Sequence, residues 1–193
     1  MQAKSMTLFG IALSGAAALL AGSQTWISFT LAGTEKVETV TGHEANAALS
    51  PISIAMFAAA LALTIAGPVF RRVLGLLVAL LGAGLVALTS GVIAAPVAAV
   101  SSRITELTGI AGEAAGASVA WSSVSAWAWV SVAAGVAAIL LGAIVLLFSG
   151  RWRSAGRKYD SDRRAPGGDG AEPDRISEWD SLSRGEDPSE DIR

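Results

Sequence analysis

Four long stretches of the chain contain no Asp, Glu, Lys or Arg, and they set the pattern of the whole sequence. They are Ser5–Thr34, Ala45–Phe70, Val73–Ser102 and Ala114–Gly150. Each is longer than the roughly 20 residues that a helix needs to cross a bilayer. A charge at the centre of a membrane helix costs roughly 2.5–3.5 kcal/mol, so charged residues are largely excluded from segments that lie in lipid. The pattern therefore predicts four membrane-spanning helices.

The predicted spans are about Met6–Gly22, Ala48–Phe70, Val73–Val97 and Val124–Phe148. They give an all-α membrane protein, a four-helix transmembrane bundle of two antiparallel hairpins within residues 1–150. Residues 151–193 are polar and contain a Pro-Gly-Gly break, which predicts a mostly disordered cytoplasmic tail. For the first span, a cleaved signal peptide is the alternative, since Ala21-Gly22-Ser23 is a passable cleavage site.

Two polar loops connect the spans, the first between spans one and two and the second between spans three and four. In the first loop, Trp26–Leu31 and Val37–Thr41 are β-branched and alternating, which predicts a β-hairpin. A lone hairpin is marginal in water, so it needs to rest on the membrane or on the second loop. In the second loop, Ser101–Leu107 has helical character, and Pro96 just before it predicts a kink or an end to span three.

Lys and Arg are distributed unequally about the spans. One side holds Lys4, Arg71, Arg72, Arg151, Arg153, Arg157, Lys158, Arg163 and Arg164, and the other holds Lys36 and Arg103. The positive-inside rule then places both termini in the cytoplasm, with Arg71-Arg72 as a cytoplasmic turn between spans two and three. This predicts a multi-pass protein of the cell membrane with both polar loops facing outward.

Basic and aromatic residues near the span ends are predicted to anchor the protein at the membrane interface. The predicted anchors are Trp26, Arg71, Arg72, Trp121, Trp127, Trp129, Arg151, Trp152 and Arg153. The basic residues after span four are expected to attract anionic lipid at the cytoplasmic face. A protein docking site in that stretch is the alternative.

Composition narrows the possible chemistry. The chain has 193 residues, 52% hydrophobic and 16% charged, where a soluble domain would have about a quarter charged. It has no cysteine, which excludes disulfides, thiolate zinc sites and thiol nucleophiles. We find no nucleophile elbow, phosphate loop or dinucleotide fingerprint, so we expect no enzyme activity, no cofactor and no nucleic-acid partner.

One cluster of potential metal ligands is in the first loop. His43-Glu44, with Glu35 and Glu38 nearby, could be a metal or acid–base cluster. One histidine without cysteine cannot make a usual structural zinc site, so we interpret these as solvated loop residues. The predicted spans contain no ionisable residue, which disfavours an ion-coupled transporter and leaves a neutral-solute pore open.

Two further patterns concern packing and partners. Glycines recur seven residues apart in three spans: Gly15 and Gly22, Gly75 and Gly82, Gly135 and Gly142. Such faces allow close helix packing within the bundle or, alternatively, against another membrane protein. In the acidic tail, Ile176, Trp179 and Leu182 are spaced by three and could form one face of a short helix. We interpret them as a possible docking segment for a protein partner.

These features together resemble the actinobacterial tryptophan-associated transmembrane protein family. The residues that carry the resemblance are Gln24-Thr25-Trp26, Val40-Thr41-Gly42, Arg72 with Gly75 and Gly82, Arg151-Trp152, Gly156-Arg157-Lys158-Tyr159, and the tail from Trp179 to Pro188. The resemblance implies a four-span membrane protein tied to tryptophan metabolism by gene neighbourhood. We expect a non-enzymatic accessory or regulatory protein; the alternative is a small transporter or pore for tryptophan, indole or a similar neutral solute.

Overall fold

A computed structural model of the chain describes residues 2–148, with side-chain burial from residue 5 onward. Eight helices and three strands follow one another in this part of the chain. They are α1 (Gln2–Ser23), β1 (Thr25–Leu31), β2 (Val37–Thr41), α2 (Gly42–Ala45), α3 (Leu49–Ile65), α4 (Pro68–Ala94), α5 (Pro96–Ala99), α6 (Ser101–Thr108), α7 (Glu113–Ala117), β3 (Val119–Val124) and α8 (Ala126–Phe148). The predicted tail lies outside the described residues.

Four helices, α1, α3, α4 and α8, pack side by side, with α1 and α4 each contacting both α3 and α8. Inward positions such as Val78 and Val145 have no exposed surface, whereas outward positions such as Leu80 and Leu140 are about 60% exposed. An apolar outer surface of this kind suits contact with lipid. Three of the helices, over Ser5–Ser23, Pro68–Ala94 and Ala126–Phe148, are long and apolar enough to cross a membrane. Helix α3 is apolar but has only 17 residues, so its crossing stays a prediction.

Glycines bring α4 and α8 into close contact. A Cβ on Gly82 would lie 2.7 Å from the carbonyl oxygen of Gly135, and a Cβ on Gly142 would lie 2.7 Å from that of Gly75. Only a residue without a side chain allows the two backbones to approach so closely. The interpretation that these seven-residue glycine pairs pack within the bundle is confirmed for the pairs of α4 and α8.

The turn between the second and third apolar helices is not where the sequence pattern put it. The prediction ended span two at Phe70 and placed the turn at Arg71-Arg72. In the structure α3 ends at Ile65, and Pro68 begins α4, with Gly67 as its N-cap residue. Proline suits the first turn of a helix because the N–H that it lacks would have no partner there. Arg71 and Arg72 therefore belong to a helix, and that prediction was wrong by about one helical turn.

The far end of the third span follows the prediction more closely. Helix α4 ends at Ala94, and Pro96 begins the short helix α5. The predicted helical character of Ser101–Leu107 is confirmed as α6, which ends at Gly109 in a left-handed conformation with φ of 70°.

The segments outside the four long helices form a small domain at one end of the bundle, which we call the cap. It contains β1–β3, α2 and α5–α7. The strands form an antiparallel sheet in the order β2-β1-β3, with Phe29 opposite Glu38 on one side and opposite Ser122 on the other. The predicted hairpin is confirmed, and the third strand, which was not predicted, comes from the second loop. Ile27 and Phe29 are fully buried in the same cluster as Val100 and Ile104.

Candidate functional site: a charged cleft in the cap

The cap contains a half-open cleft of about 340 Å³ between the β2–α2 segment and the α5–α6 segment. We call it the cap cleft. Its lining consists of Thr39, Val40, Glu44, Ala99, Val100, Ser102, Arg103 and Glu106. The apolar residues form part of the wall, and two carboxylates and one guanidinium supply its charges. The first loop contributes three of these eight residues and the second loop contributes five.

Glu44 is held in place by a capping box at the start of α2. Its Oε2 accepts hydrogen bonds from the backbone N–H of Thr41 at 2.8 Å and from the Thr41 hydroxyl at 2.9 Å. The N–H of Glu44 donates in return to the Thr41 hydroxyl at 3.3 Å. The Thr-x-x-Glu spacing is the sequence signature of this motif, so the capping box could be predicted from the sequence alone. The motif fixes one Glu44 oxygen and leaves Oε1 without a hydrogen bond to the described residues.

Arg103 ties the two loops together. Its Nη1 donates to Oε2 of Glu106, one turn further along α6, at 2.7 Å. Its Nη2 lies 3.8 Å from Oε2 of Glu38 on β2, and the other oxygen of Glu38 lies 2.5 Å from Nζ of Lys36. Arg103 remains 42% exposed, so N–H groups of its guanidinium still face the cleft and solvent.

These contacts favour the ionised forms of Glu38, Glu44 and Arg103. The hydrogen bond from Lys36, helped by the charges of Lys36 and Arg103, lowers the pKa of Glu38 below its ordinary value of 4.5. The hydrogen bond from the Thr41 backbone lowers the pKa of Glu44 in the same direction. Glu106 raises the pKa of Arg103 through its hydrogen bond and its charge. The cleft therefore presents fixed negative and positive charges at neutral pH.

The interpretation of the first-loop acids as solvated was wrong for Glu38. Its side chain is only 13% exposed, because it lies opposite Phe29 in the ladder and so faces the same side as the buried residues of β1. His43 is also partly buried, and its imidazole occupies the space that a Cβ on Gly22 would take. Its Nε2 is buried and has no hydrogen bond to the described residues.

Two predicted membrane anchors are buried within the protein. Trp26 has no exposed surface, and its Nε1 donates to the carbonyl oxygen of Ala21 at 2.8 Å. Arg71 is 3% exposed, and its Nη2 donates to the carbonyl oxygen of Ala66 at 2.9 Å. Side chains enclosed in this way cannot reach lipid headgroups, so the prediction that they are anchors was wrong. Each instead donates a hydrogen bond to a carbonyl near the C-terminal end of the preceding helix.

The other predicted anchors within the described residues are exposed. Trp127 and Trp129, in the first turn of α8, are 40% and 60% exposed, and Trp121 on β3 is 54% exposed. Arg72 is exposed near the start of α4. Their anchoring role stays a prediction. The remaining predicted site residues lie outside the described residues: Arg151, Trp152, Arg153, Ile176, Trp179 and Leu182.

Buried polar groups also occur inside the bundle, and in the part of the chain that the structure describes they are small hydroxyls apart from Arg71. Ser14 and Ser53 donate to backbone carbonyls one turn back in their own helices. Thr89 on α4 and Ser131 on α8 are within 3.4 Å of each other and form a buried hydroxyl pair between the two helices. Hydroxyls bonded in this way are typical of helix packing in membranes. Within the described residues, several charged groups line one cleft in the cap, whereas Arg71 is enclosed in the bundle and bonded to Ala66.

A family model described as a tryptophan-associated transmembrane protein matches residues 8–189. The match includes almost all of the bundle and the whole cap. No curated protein matches the chain.

Proposed function

Since the chain belongs to the tryptophan-associated transmembrane protein family, we propose that it is a non-enzymatic accessory protein of tryptophan-related metabolism. In this proposal the bundle holds the protein in the membrane, and the C-terminal tail binds a partner protein in the cytoplasm. The docking segment would be Ile176, Trp179 and Leu182, whose spacing by three would place them on one face if the segment formed a short helix on binding.

The close packing of α4 against α8 is the observation that supports this proposal best. Backbone atoms of the two helices fill the space beside Gly75, Gly82, Gly135 and Gly142. The buried hydroxyl pair of Thr89 and Ser131 continues the same contact toward the cap. A tightly packed interface of backbone atoms and small hydroxyls suits a scaffold better than a solute pathway.

We further propose that all four long helices cross the cell membrane, with both chain termini in the cytoplasm. The charge asymmetry of the sequence supports this orientation through the positive-inside rule. Helix α3, at about 1.5 Å per residue, is roughly 25 Å long and near the short limit for a span. In this orientation, Arg151 and Arg153 would contact anionic lipid, with Trp152 between them at the interface.

Affinity purification from native membranes after crosslinking tests the docking role. We expect that deletion of residues 165–193, or Trp179→Ala alone, abolishes recovery of the cytoplasmic partner. Trp152→Ala is the matched control, since it removes a tail tryptophan outside the docking segment and should leave recovery unchanged. Equal partner recovery with and without residues 165–193 would overturn the proposal.

A transporter or pore for tryptophan, indole or a similar neutral solute is the competing function. Purified protein in sealed vesicles should show no uptake of labelled tryptophan or indole above that of empty vesicles. Saturable uptake that is lost when Gly82→Leu disrupts the α4–α8 contact, and kept in Gly84→Leu, would replace the accessory role with transport.

A further inference from the structure

The cap cleft has properties of a ligand site that the proposed role of the tail does not use. It is a concave space of about 340 Å³, within the usual size range of small-molecule sites. Charges of both signs line the cleft, on Glu44, Arg103 and Glu106. Val40 and Val100, which are at most 4% exposed, form an apolar part of its wall.

The hydrogen-bonding capacity of the cleft is only partly used. Oε2 of Glu44 is occupied by Thr41, and Oε2 of Glu106 by Arg103, but Oε1 of each carboxylate has no hydrogen bond to the described residues. Of the five N–H groups of Arg103, one makes a short bond to Glu106, and Glu38 is 3.8 Å from Nη2. The cleft therefore offers two free carboxylate oxygens beside a guanidinium with spare donors.

We propose that the cap cleft binds a small α-amino acid in its zwitterionic form. The ligand carboxylate would bind Arg103, and the ligand ammonium would bind the free oxygens of Glu44 and Glu106. An apolar ligand side chain would contact Ala99, which is half-buried beside the nearly enclosed Val40 and Val100. A ligand with both charges matches this set better than a simple anion, which Glu44 and Glu106 would repel. It also matches better than a simple cation, which would leave the donors of Arg103 unused.

The arrangement of the cap explains how binding would be selective. Glu44 is fixed by its capping box, and Arg103 is fixed by Glu106 on its own helix and by Glu38 on β2. Charged groups held by other contacts lose little conformational freedom on binding, so preorganisation favours the ligand that fits both charges. Because the site joins β2 and α2 to α6, an occupied cleft would also hold the two loops together.

Isothermal titration of the full-length protein in lipid nanodiscs tests this proposal. The probes are L-tryptophan and L-leucine, followed by tryptamine, which lacks the carboxylate, and indole-3-propionate, which lacks the ammonium. We expect saturable binding of at least one amino acid with a Kd of about 0.1–1 mM, and at least about tenfold weaker binding of both analogues. No saturable binding of either amino acid up to about 10 mM would overturn the proposal.

Two substitutions test which residue binds each end of the ligand, and a third is the control. Glu44→Gln keeps an acceptor for Thr41 but removes the charge, so it should weaken the binding of both the amino acid and tryptamine by about tenfold. Arg103→Lys keeps a cation beside Glu106 but removes the planar guanidinium that can bind a carboxylate through two N–H groups. It should therefore weaken the binding of the amino acid and leave the binding of tryptamine unchanged. Glu113→Gln, which alters an exposed acid at the start of α7 outside the cleft, should change neither.

The pattern across probes separates ligand contact from damage to the cap. If Arg103→Lys weakened the amino acid and tryptamine equally, Arg103 would be structural and the proposed carboxylate contact would be wrong. If Glu44→Gln had no effect, the ammonium contact would be wrong. Deletion of residues 165–193 should leave binding intact, so the result does not depend on the tail.

Discussion

At the scale of single residues, a polar side chain near the end of a membrane helix has two possible destinations. It can extend into the lipid headgroups, or it can turn inward to a helix end whose last carbonyls lack partners. Trp26 and Arg71 take the second course, with donor–acceptor distances of 2.8 and 2.9 Å to the carbonyl oxygens of Ala21 and Ala66. Position along the sequence does not distinguish these outcomes, which is why both residues were assigned to the interface.

Replacement of Trp26 tests its role in the core. Trp26→Phe keeps an aromatic ring but removes the N–H that bonds to Ala21, so we expect the free energy of unfolding to fall by about 1–3 kcal/mol. Trp129→Phe, at a position 60% exposed, is the control and should change it by no more than about 0.5 kcal/mol. Unfolding in SDS, followed by circular dichroism, measures both. Equal effects of the two substitutions would contradict the buried position of Trp26.

The stability of the cap should depend on pH through Glu38. Because its pKa is lowered in the folded protein, its contribution is fully present above its ordinary value of 4.5 and is lost as the pH falls through the lower folded value. We expect amide hydrogen exchange of β2, corrected for its intrinsic rate, to lose protection below about pH 4.5. In Glu38→Gln, the part of this loss that is due to Glu38 should disappear. Protection of β2 that is independent of pH in the natural protein would show that Glu38 contributes nothing.

At the scale of elements, glycines along one helix differ sharply in what they touch. A Cβ on Gly82 would lie 2.7 Å from a backbone oxygen of α8, whereas a Cβ on Gly84 would meet only Cδ1 of Ile52, at 3.9 Å. The two positions lie in the same helix and less than one turn apart. The same substitution at both positions therefore distinguishes the effect of helix packing from the effect of helix propensity.

We expect Gly82→Ala to destabilise the protein by about 1–3 kcal/mol because α4 and α8 must move apart. Gly84→Ala should be neutral or stabilising by up to about 1 kcal/mol, since alanine favours the helix over glycine. SDS unfolding of the two variants side by side gives the comparison. If both variants were equally stable, close approach at Gly82 could not be what holds α4 to α8.

The long helices were predictable because charge-free apolar runs cover α3, α8 and most of α1 and α4. Pro96 follows the end of α4. Their boundaries were less predictable. The charges of Arg71 and Arg72 suggested a turn, yet Arg71 is accommodated within α4 by burying its guanidinium against Ala66. Strand β3 was missed because Val-Ala-Trp-Ser-Ser-Val has weak alternation and stands directly before an apolar helix.

At the scale of the whole molecule, the cap cleft depends on contacts between distant parts of the chain. Its lining comes from residues 39–44 and 99–106, and α3 and α4 lie between these segments in the sequence. Local patterns reveal the capping box at Thr41 and the helix that carries Arg103. They contain no information about which loops meet, so the individual charges were visible in the sequence and the site was not.

The orientation of the protein can be tested with single cysteines, since the natural chain has none. Glu35→Cys and Arg72→Cys are both at exposed positions at opposite ends of the bundle. In intact cells a membrane-impermeant maleimide should label Glu35→Cys and should label Arg72→Cys only after permeabilisation. The reverse pattern would invert the proposed topology. Labelling of both in intact cells would mean that α3 does not cross.

The central position of β1 in its sheet has a consequence for how the protein is made. One neighbour, β2, follows within a few residues, but the other, β3, is synthesised about 90 residues later. At 5–20 residues per second, this delay lasts roughly 5 to 20 s. During that time one edge of β1 stays open, and an isolated hairpin is only marginally stable. An open strand edge is a site of aggregation, so completion of the cap must wait until α3 and α4 have been synthesised and β3 has emerged.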